Sequence, residues 1–146
     1  MVKIDGGVTA PIGFKAAGVA AGLKKNGNPD LAMVYSEDIC VAVGVYTTNV
    51  VKGHSLQLTM DNMKNGYANA VIINSGCANA CVGHMGYEDA VKITKYCAEI
   101  LDIDEENMLI GSTGVIGVPL DKDIIMKGAD LLKERLSENG GNDAAR

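Results

Sequence analysis

The chain has 146 residues, 18 acidic against 13 basic, a formal net charge of -5, no Trp, one Phe and five Tyr. That length suits one domain able to bury about two-thirds of the surface its unfolded chain exposes. The acidic balance leaves no broad cationic surface for nucleic-acid phosphates or anionic lipid, and the scarcity of aromatics removes the stacking platforms of single-strand binders, so neither nucleic acid nor membrane is an expected partner.

Gly6-Gly7-Val-Thr-Ala-Pro11, Phe14 to Leu23 and the turn cluster Lys25-Asn-Gly-Asn-Pro-Asp30 fill residues 1–30. Gly18 and Gly22 disfavour a helix there, and short extended segments are expected. Residues 31–36 and 39–47 are rich in β-branched and aromatic residues at strand length and read as paired strands joined across Glu37-Asp38. Residues 55–59, Ser-Leu-Gln-Leu-Thr, alternate like a half-buried strand, with a short helix or turn over 60–66. Ala70-Val-Ile-Ile-Asn74 is apolar at successive positions, which fits a strand covered on both faces. From Tyr87 to Leu101, Ala90, Val91, Thr94, Cys97, Ala98 and Leu101 recur at helical spacing. Asp121 is placed to cap a helix over 122–136 with the stripe Ile124, Ile125, Ala129, Leu132 and Leu136. Residues 137–146 are polar and glycine-rich, with no apolar anchor, and read as a flexible tail.

No apolar run is long enough to span a bilayer as a helix, and Met-Val-Lys-Ile-Asp at the start does not resemble a signal peptide. Cys40, Cys77, Cys81 and Cys97 lie in apolar or alternating contexts, so reduced thiols in a cytoplasmic protein are expected.

The segment with most chemistry is Asn107-Met-Leu-Ile-Gly-Ser-Thr-Gly-Val-Ile-Gly-Val-Pro-Leu120. A strand-like run delivers Thr113 and Gly114 into a glycine-rich turn. Acyl transfer through a tetrahedral intermediate needs donors where negative charge develops, and a hydroxyl residue followed by glycine offers an O–H and an unobstructed N–H. The same glycines equally serve a tight reversal, with Thr113 bonding its own backbone. A second strand-to-glycine delivery, Asn74-Ser-Gly-Cys-Ala-Asn-Ala-Cys-Val-Gly83, packs amides, a hydroxyl and thiols into one loop. Cys77 and Cys81 lack the further Cys/His pair that a tetrahedral metal site needs, so no metal is expected. Cys77 with His84 or His54 as base is conceivable, but a packed thiol is the plainer reading. Ser75 reads as a turn-former, His54 as a lone surface histidine and Thr47-Thr48-Asn49 as a strand terminator. Asp102, Asp104, Glu105 and Glu106 read as a solvated helix cap.

Four blocks, Gly7 to Gly18, Tyr46-Thr-Thr-Asn49, Val71-Ile-Ile-Asn-Ser-Gly-Cys-Ala-Asn-Ala-Cys81 and Gly111 to Leu120, together resemble the N-terminal part of the ornithine acetyltransferase family, the glutamate N-acetyltransferases of arginine biosynthesis. The resemblance implies an α/β fold, a mixed sheet with packed helices, forming part of a self-cleaving enzyme of the N-terminal-nucleophile-like type. It implies a precursor cut before a threonine into α and β chains that stay associated, as in a heterotetramer. The threonine takes acetyl from N-acetylornithine and passes it to glutamate, with no cofactor. Thr113 and Gly114 then match the oxyanion-hole pair; other substrate-binding residues are not indicated. Two departures stand out. Cys77 occupies a position where the family usually has Asn, which puts one loop contact in doubt. The family also continues beyond Arg146 to its nucleophile, so residues 1–146 read as a single-domain, truncated α-chain portion that carries the oxyanion hole but not the nucleophile. The alternatives are a self-cleaving aminopeptidase-like hydrolase and a non-catalytic binding domain left by truncation.

Overall fold

Residues 7–146 are described by a computed structural model; the expectation of extended structure over residues 1–6 lies outside them. Four strands form one sheet in the order β1-β2-β3-β4: β1 is Phe14–Val19, β2 Leu31–Val41, β3 Tyr67–Cys77 and β4 Met108–Val115. The β1–β2 and β2–β3 pairs are antiparallel, and β3–β4 is parallel. The connections carry helices α1 (His54–Asn62), α2 (Met85–Leu101) and α3 (Lys122–Arg135), and a short helix α4 (Gly141–Ala144) ends the chain. This is the mixed α/β architecture expected.

The parallel pair requires a crossover, and α2 supplies it between β3 and β4. Its buried stripe Ala90, Ile93, Thr94, Cys97, Ala98 and Leu101 packs with α3 against one face of the sheet, where Met33, Ile72, Met108 and Ile110 point. Each such fully buried aliphatic side chain contributes about 1.5–3 kcal/mol relative to exposure. Burial pushes the Cys97 thiol up to about 12, which makes it a neutral packing group. In α3 the Asp121 carboxylate accepts from the Ile124 N–H at 3.1 Å, the expected cap. Gly128 within that helix costs about 1 kcal/mol of helix propensity relative to Ala. It is there for packing: a Cβ would come 2.6 Å from Leu31 Cδ2 and 2.8 Å from Ala21 Cβ.

Four expectations are corrected. Residues 31–41 are a single strand, because the polar Glu37-Asp38 pair sits in an exposed irregularity between the Tyr35–Ala70 and Cys40–Ala68 pairings and the chain does not reverse. Residues 55–59 are helical: Ser55 and Leu58 are buried together at three-residue spacing, and the alternation of five residues was too short to exclude that period. In β3, Ala70, Ile72 and Asn74 are buried while Ile73 on the opposite face is 41% exposed, so helices cover one face and not both. Residues 137–146, read as a tail without an anchor, are packed on β1. Ala16 N–H donates to Ser137 O at 3.0 Å and Ser137 N–H to Ala16 O at 3.2 Å. Glycine permits the close backbone approach here, since a Cβ on Gly140 would overlap Ala16 O and one on Gly18 would overlap Asp143 O. No helix among the described residues is long and apolar enough to cross a membrane.

Candidate functional site

The two glycine-bearing segments that sequence presented separately are neighbours. Parallel pairing of β3 with β4 sets Ser75 opposite Thr113, Gly76 opposite Gly114 and Cys77 opposite Val115. Both strands therefore end side by side, the place where α/β sheets commonly bind ligands. Gly76 (φ 108°) and Gly114 (φ 132°) both adopt backbone conformations that L side chains rarely take. A Cβ on Gly114 would also collide with the Gly76–Cys77 peptide, 2.6 Å from Cys77 N. Only glycine fits there, for reasons of backbone contact as well as φ.

Strand alternation decides where the Gly114 N–H points. In a parallel ladder one residue directs both its N–H and its C=O to one side, and the next residue directs its own to the other. Val115 O faces β3, where it accepts from Ala78 N–H at 2.9 Å. Ile110 presents N–H and C=O to the outer edge, where both meet Thr59 Oγ1 at 3.0 and 2.6 Å. By parity, Gly114 shares the outward side with Ile110. Thr113 itself is exposed and borders a hollow of about 170 Å³ with Asp30, Asn74, Ser75 and Arg146. On the outer edge, Leu56, Ala80, Ile110, Ser112 and Ile116 line a second hollow of about 380 Å³. The Thr113 hydroxyl and the outward Gly114 N–H, adjacent in the chain, are donors of the kind that can stabilise an oxyanion. A larger hollow of about 710 Å³ lies at the opposite end of β4, where the carboxylates of Asp104, Glu105 and Glu106 in its lining disfavour an anion.

The loop after β3 is held from beneath. Asn74 Nδ2 donates to Cys77 O at 3.0 Å, and the Cys77 thiol donates to Val118 O at 2.9 Å, tying the two segments together. Asn79, wholly buried and at φ 48°, donates to Ser55 Oγ at 3.0 Å and Gly86 O at 2.9 Å. His54 is half-buried, unlike the surface histidine expected; its Nδ1 lies 3.3 Å from Gln57 Oε1, while Nε2 is buried without a hydrogen-bond partner. Thr47 and Asn49 do bond locally, accepting from the N–H groups of Asn49 and Val51. Cys77 is buried, whereas Cys81 is exposed, and all four cysteines are free thiols. Among the described residues no three His, Cys, Asp or Glu side chains gather where they could hold a metal ion.

Ser55, Thr59 and Asn62 escaped the sequence reading. Their signal was a polar series at four- and three-residue spacing, visible only once α1 is recognised as a helix.

Residues 15–146 match the ArgJ family. The chain belongs to that family. It is 48% identical over 145 residues to the arginine biosynthesis bifunctional protein ArgJ of Caldanaerobacter subterraneus subsp. tengcongensis, covering 99% of this chain and 36% of that protein. It is 46% identical to the ArgJ bifunctional protein of Prochlorococcus marinus, covering 97% of this chain and 34% of the relative. The chain thus spans about a third of the length of these curated relatives. Among solved structures it is similar to the Mycobacterium tuberculosis ornithine acetyltransferase complexed with ornithine, with a TM-score of 0.91, 38% identity and coverage of 95% of this chain and 76% of the other. The ArgJ bifunctional protein of Bacillus halodurans gives a TM-score of 0.89 at 34% identity, covering 95% of this chain and 73% of the other. The four-stranded mixed sheet and its helices are therefore an ArgJ fold.

Within this ArgJ site the Cys77 thiol donates to the Val118 carbonyl, an arrangement that engages its proton without withdrawing it. Replacing it with Ser or Asn in the assembled enzyme is expected to change kcat only modestly. A loss beyond about a thousandfold with folding intact, measured alongside circular dichroism, would identify a thiol nucleophile instead.

Proposed function

We propose that Thr113 and Gly114 form the oxyanion hole of a glutamate N-acetyltransferase, and that the nucleophile is a threonine on the remaining ArgJ polypeptide, freed by self-cleavage of a precursor. The observation that carries this reading is the Thr-Gly pair at the joined ends of β3 and β4, with the Gly114 N–H directed outward by strand parity. The ornithine complex of the M. tuberculosis relative supports an ornithine-derived substrate.

The nucleophilic hydroxyl attacks the acetyl carbonyl of N-acetylornithine, and the carbonyl oxygen becomes an anion that Thr113 O–H and Gly114 N–H stabilise. Collapse of the intermediate breaks the C–N bond, the proton of the attacking hydroxyl passes to the departing ornithine amine, and an acetyl-threonine ester remains. The glutamate amine then attacks the ester, a second oxyanion forms in the same hole, and N-acetylglutamate departs as the threonine hydroxyl regains its proton. One pair of donors serves both half-reactions because both develop charge on the same oxygen.

The partner in this reading is the β chain. Coverage of 36% of a curated relative but 76% of a solved chain makes that solved chain about half the curated length, which suits a precursor cut in two. The surface suits it as well: beyond the end of β2, Val43 and Val45 are 90% and 98% exposed, and Ile116 beside the site is 64% exposed. Apolar side chains this exposed suit surfaces that another chain covers. Free thiols, one of them exposed, suit the reducing cytoplasm.

The test supplies the assembled enzyme with N-acetylornithine labelled in the acetyl group. Label is expected first on a threonine side chain and, after glutamate is added, in N-acetylglutamate. Label released only as free acetate, in the presence of glutamate, would point to a hydrolase and overturn the transferase reading.

A further inference from the structure

We propose that α1 is a positioning element for the Thr113-Gly114 pair, acting through the hydroxyls of Ser55 and Thr59 and the amide of Asn62; this rests on the oxyanion reading above. β4 is the last strand of the sheet, and an edge strand presents a row of unpaired backbone groups. Here a helix covers that row. Thr59 Oγ1 both accepts from Ile110 N–H and donates to Ile110 O, taking the place a neighbouring strand would occupy. Asn62 Nδ2 donates to Met108 O at 2.9 Å, and Ser55 Oγ lies 2.7 Å from Ser112 Oγ.

The spacing explains why the three side chains bond β4 together. Four helical residues rise about 6 Å and two strand residues about 6.6 Å, so Ser55 and Thr59 keep step with Ser112 and Ile110 when helix and strand run in opposite directions. The three-residue step to Asn62 is shorter, and the longer amide side chain makes up the difference. Asn79 fixes the far end of this series by donating to Ser55 and to Gly86 O, so the loop after β3 and the edge of β4 are referred to the same helix. The backbone bonds from α1 end at Ile110, and beyond it α1 holds Ser112 by its side chain alone. Gly114, two residues further on, lies past these bonds, so α1 holds the strand without engaging the proposed donor.

A hydroxyl that only stabilised the fold would lower the amount of folded enzyme and leave its turnover intact. A positioning group acts on kcat, because a small displacement of an oxyanion donor weakens the transition state more than the bound ground state. In the assembled enzyme, Thr59→Val keeps the shape and removes both bonds to Ile110. It is expected to lower kcat per folded enzyme about tenfold with KM changed by less than about twofold, and Thr59→Ser is expected to restore most of the rate. Ser55→Ala, which leaves the Ile110 bonds intact, should give a smaller loss of the same kind and keeps the test available if Thr59→Val does not fold. Wild-type kcat in the folded variants, a loss confined to KM, or a loss accounted for by the unfolded fraction would each overturn the proposal. Loss of kcat in Thr113→Ala with none in Thr59→Val or Ser55→Ala removes the positioning role alone. Wild-type turnover in Thr113→Ala removes the reading beneath it.

Discussion

Replacing Thr113 by Ala in the assembled enzyme is expected to lower kcat by about 10²- to 10³-fold, the usual cost of one oxyanion-hole donor, with KM little changed. The expectation follows from where Thr113 sits. It is exposed at the end of β4, outside the buried core, so its hydroxyl is free to serve a bound carbonyl. Its neighbour Gly114 is held by contact with the Gly76–Cys77 peptide, which keeps the N–H in place when the Thr113 side chain is shortened. Stability should fall by no more than about 1 kcal/mol, the worth of an ordinary hydrogen bond. Single-turnover measurements would separate acetylation of the enzyme from transfer to glutamate, and both steps should slow because both pass through an oxyanion. Unchanged kcat, or a loss explained by unfolding alone, would reduce Thr113 to a turn residue.

A polypeptide of these 146 residues by itself is expected to give no measurable acetyl transfer, and to acquire it when the rest of the ArgJ polypeptide is supplied. Oxyanion donors stabilise a charge that arises only after a nucleophile attacks. Without that attack they retain a small part of the rate. The exposed valines after β2 and the exposed Ile73 on β3 are where the second piece is expected to assemble. Activity should therefore appear together with a complex of both pieces in size-exclusion chromatography. Robust conversion of N-acetylornithine and glutamate by the homogeneous 146-residue polypeptide would overturn this division of labour.

Helices α2 and α3 were legible because their apolar residues recur at helical spacing over fourteen or more residues, and Asp121 marked the start of α3. The helix α1 was not. Its polar residues look like a solvent face, yet Ser55, Thr59 and Asn62 bond the edge of a strand 46 to 57 residues away in sequence. The last residues misled for a related reason: glycine that permits contact with β1 has the same composition as glycine in a mobile tail.

By itself the sequence determined the family, through four ordered motif blocks, and the mixture of strands with two long helices that makes an α/β fold. It also singled out Thr113-Gly114 and the loop after Asn74 as places where chemistry could reside, since hydroxyls, amides and glycines at strand ends are local features. Tertiary structure alone decided that these two places are one. Parallel pairing of β3 with β4 is a long-range register, set by packing of α2 across the sheet, and no local pattern encodes which residue faces which. The outward direction of the Gly114 N–H depends on that register, and so does the edge that α1 covers.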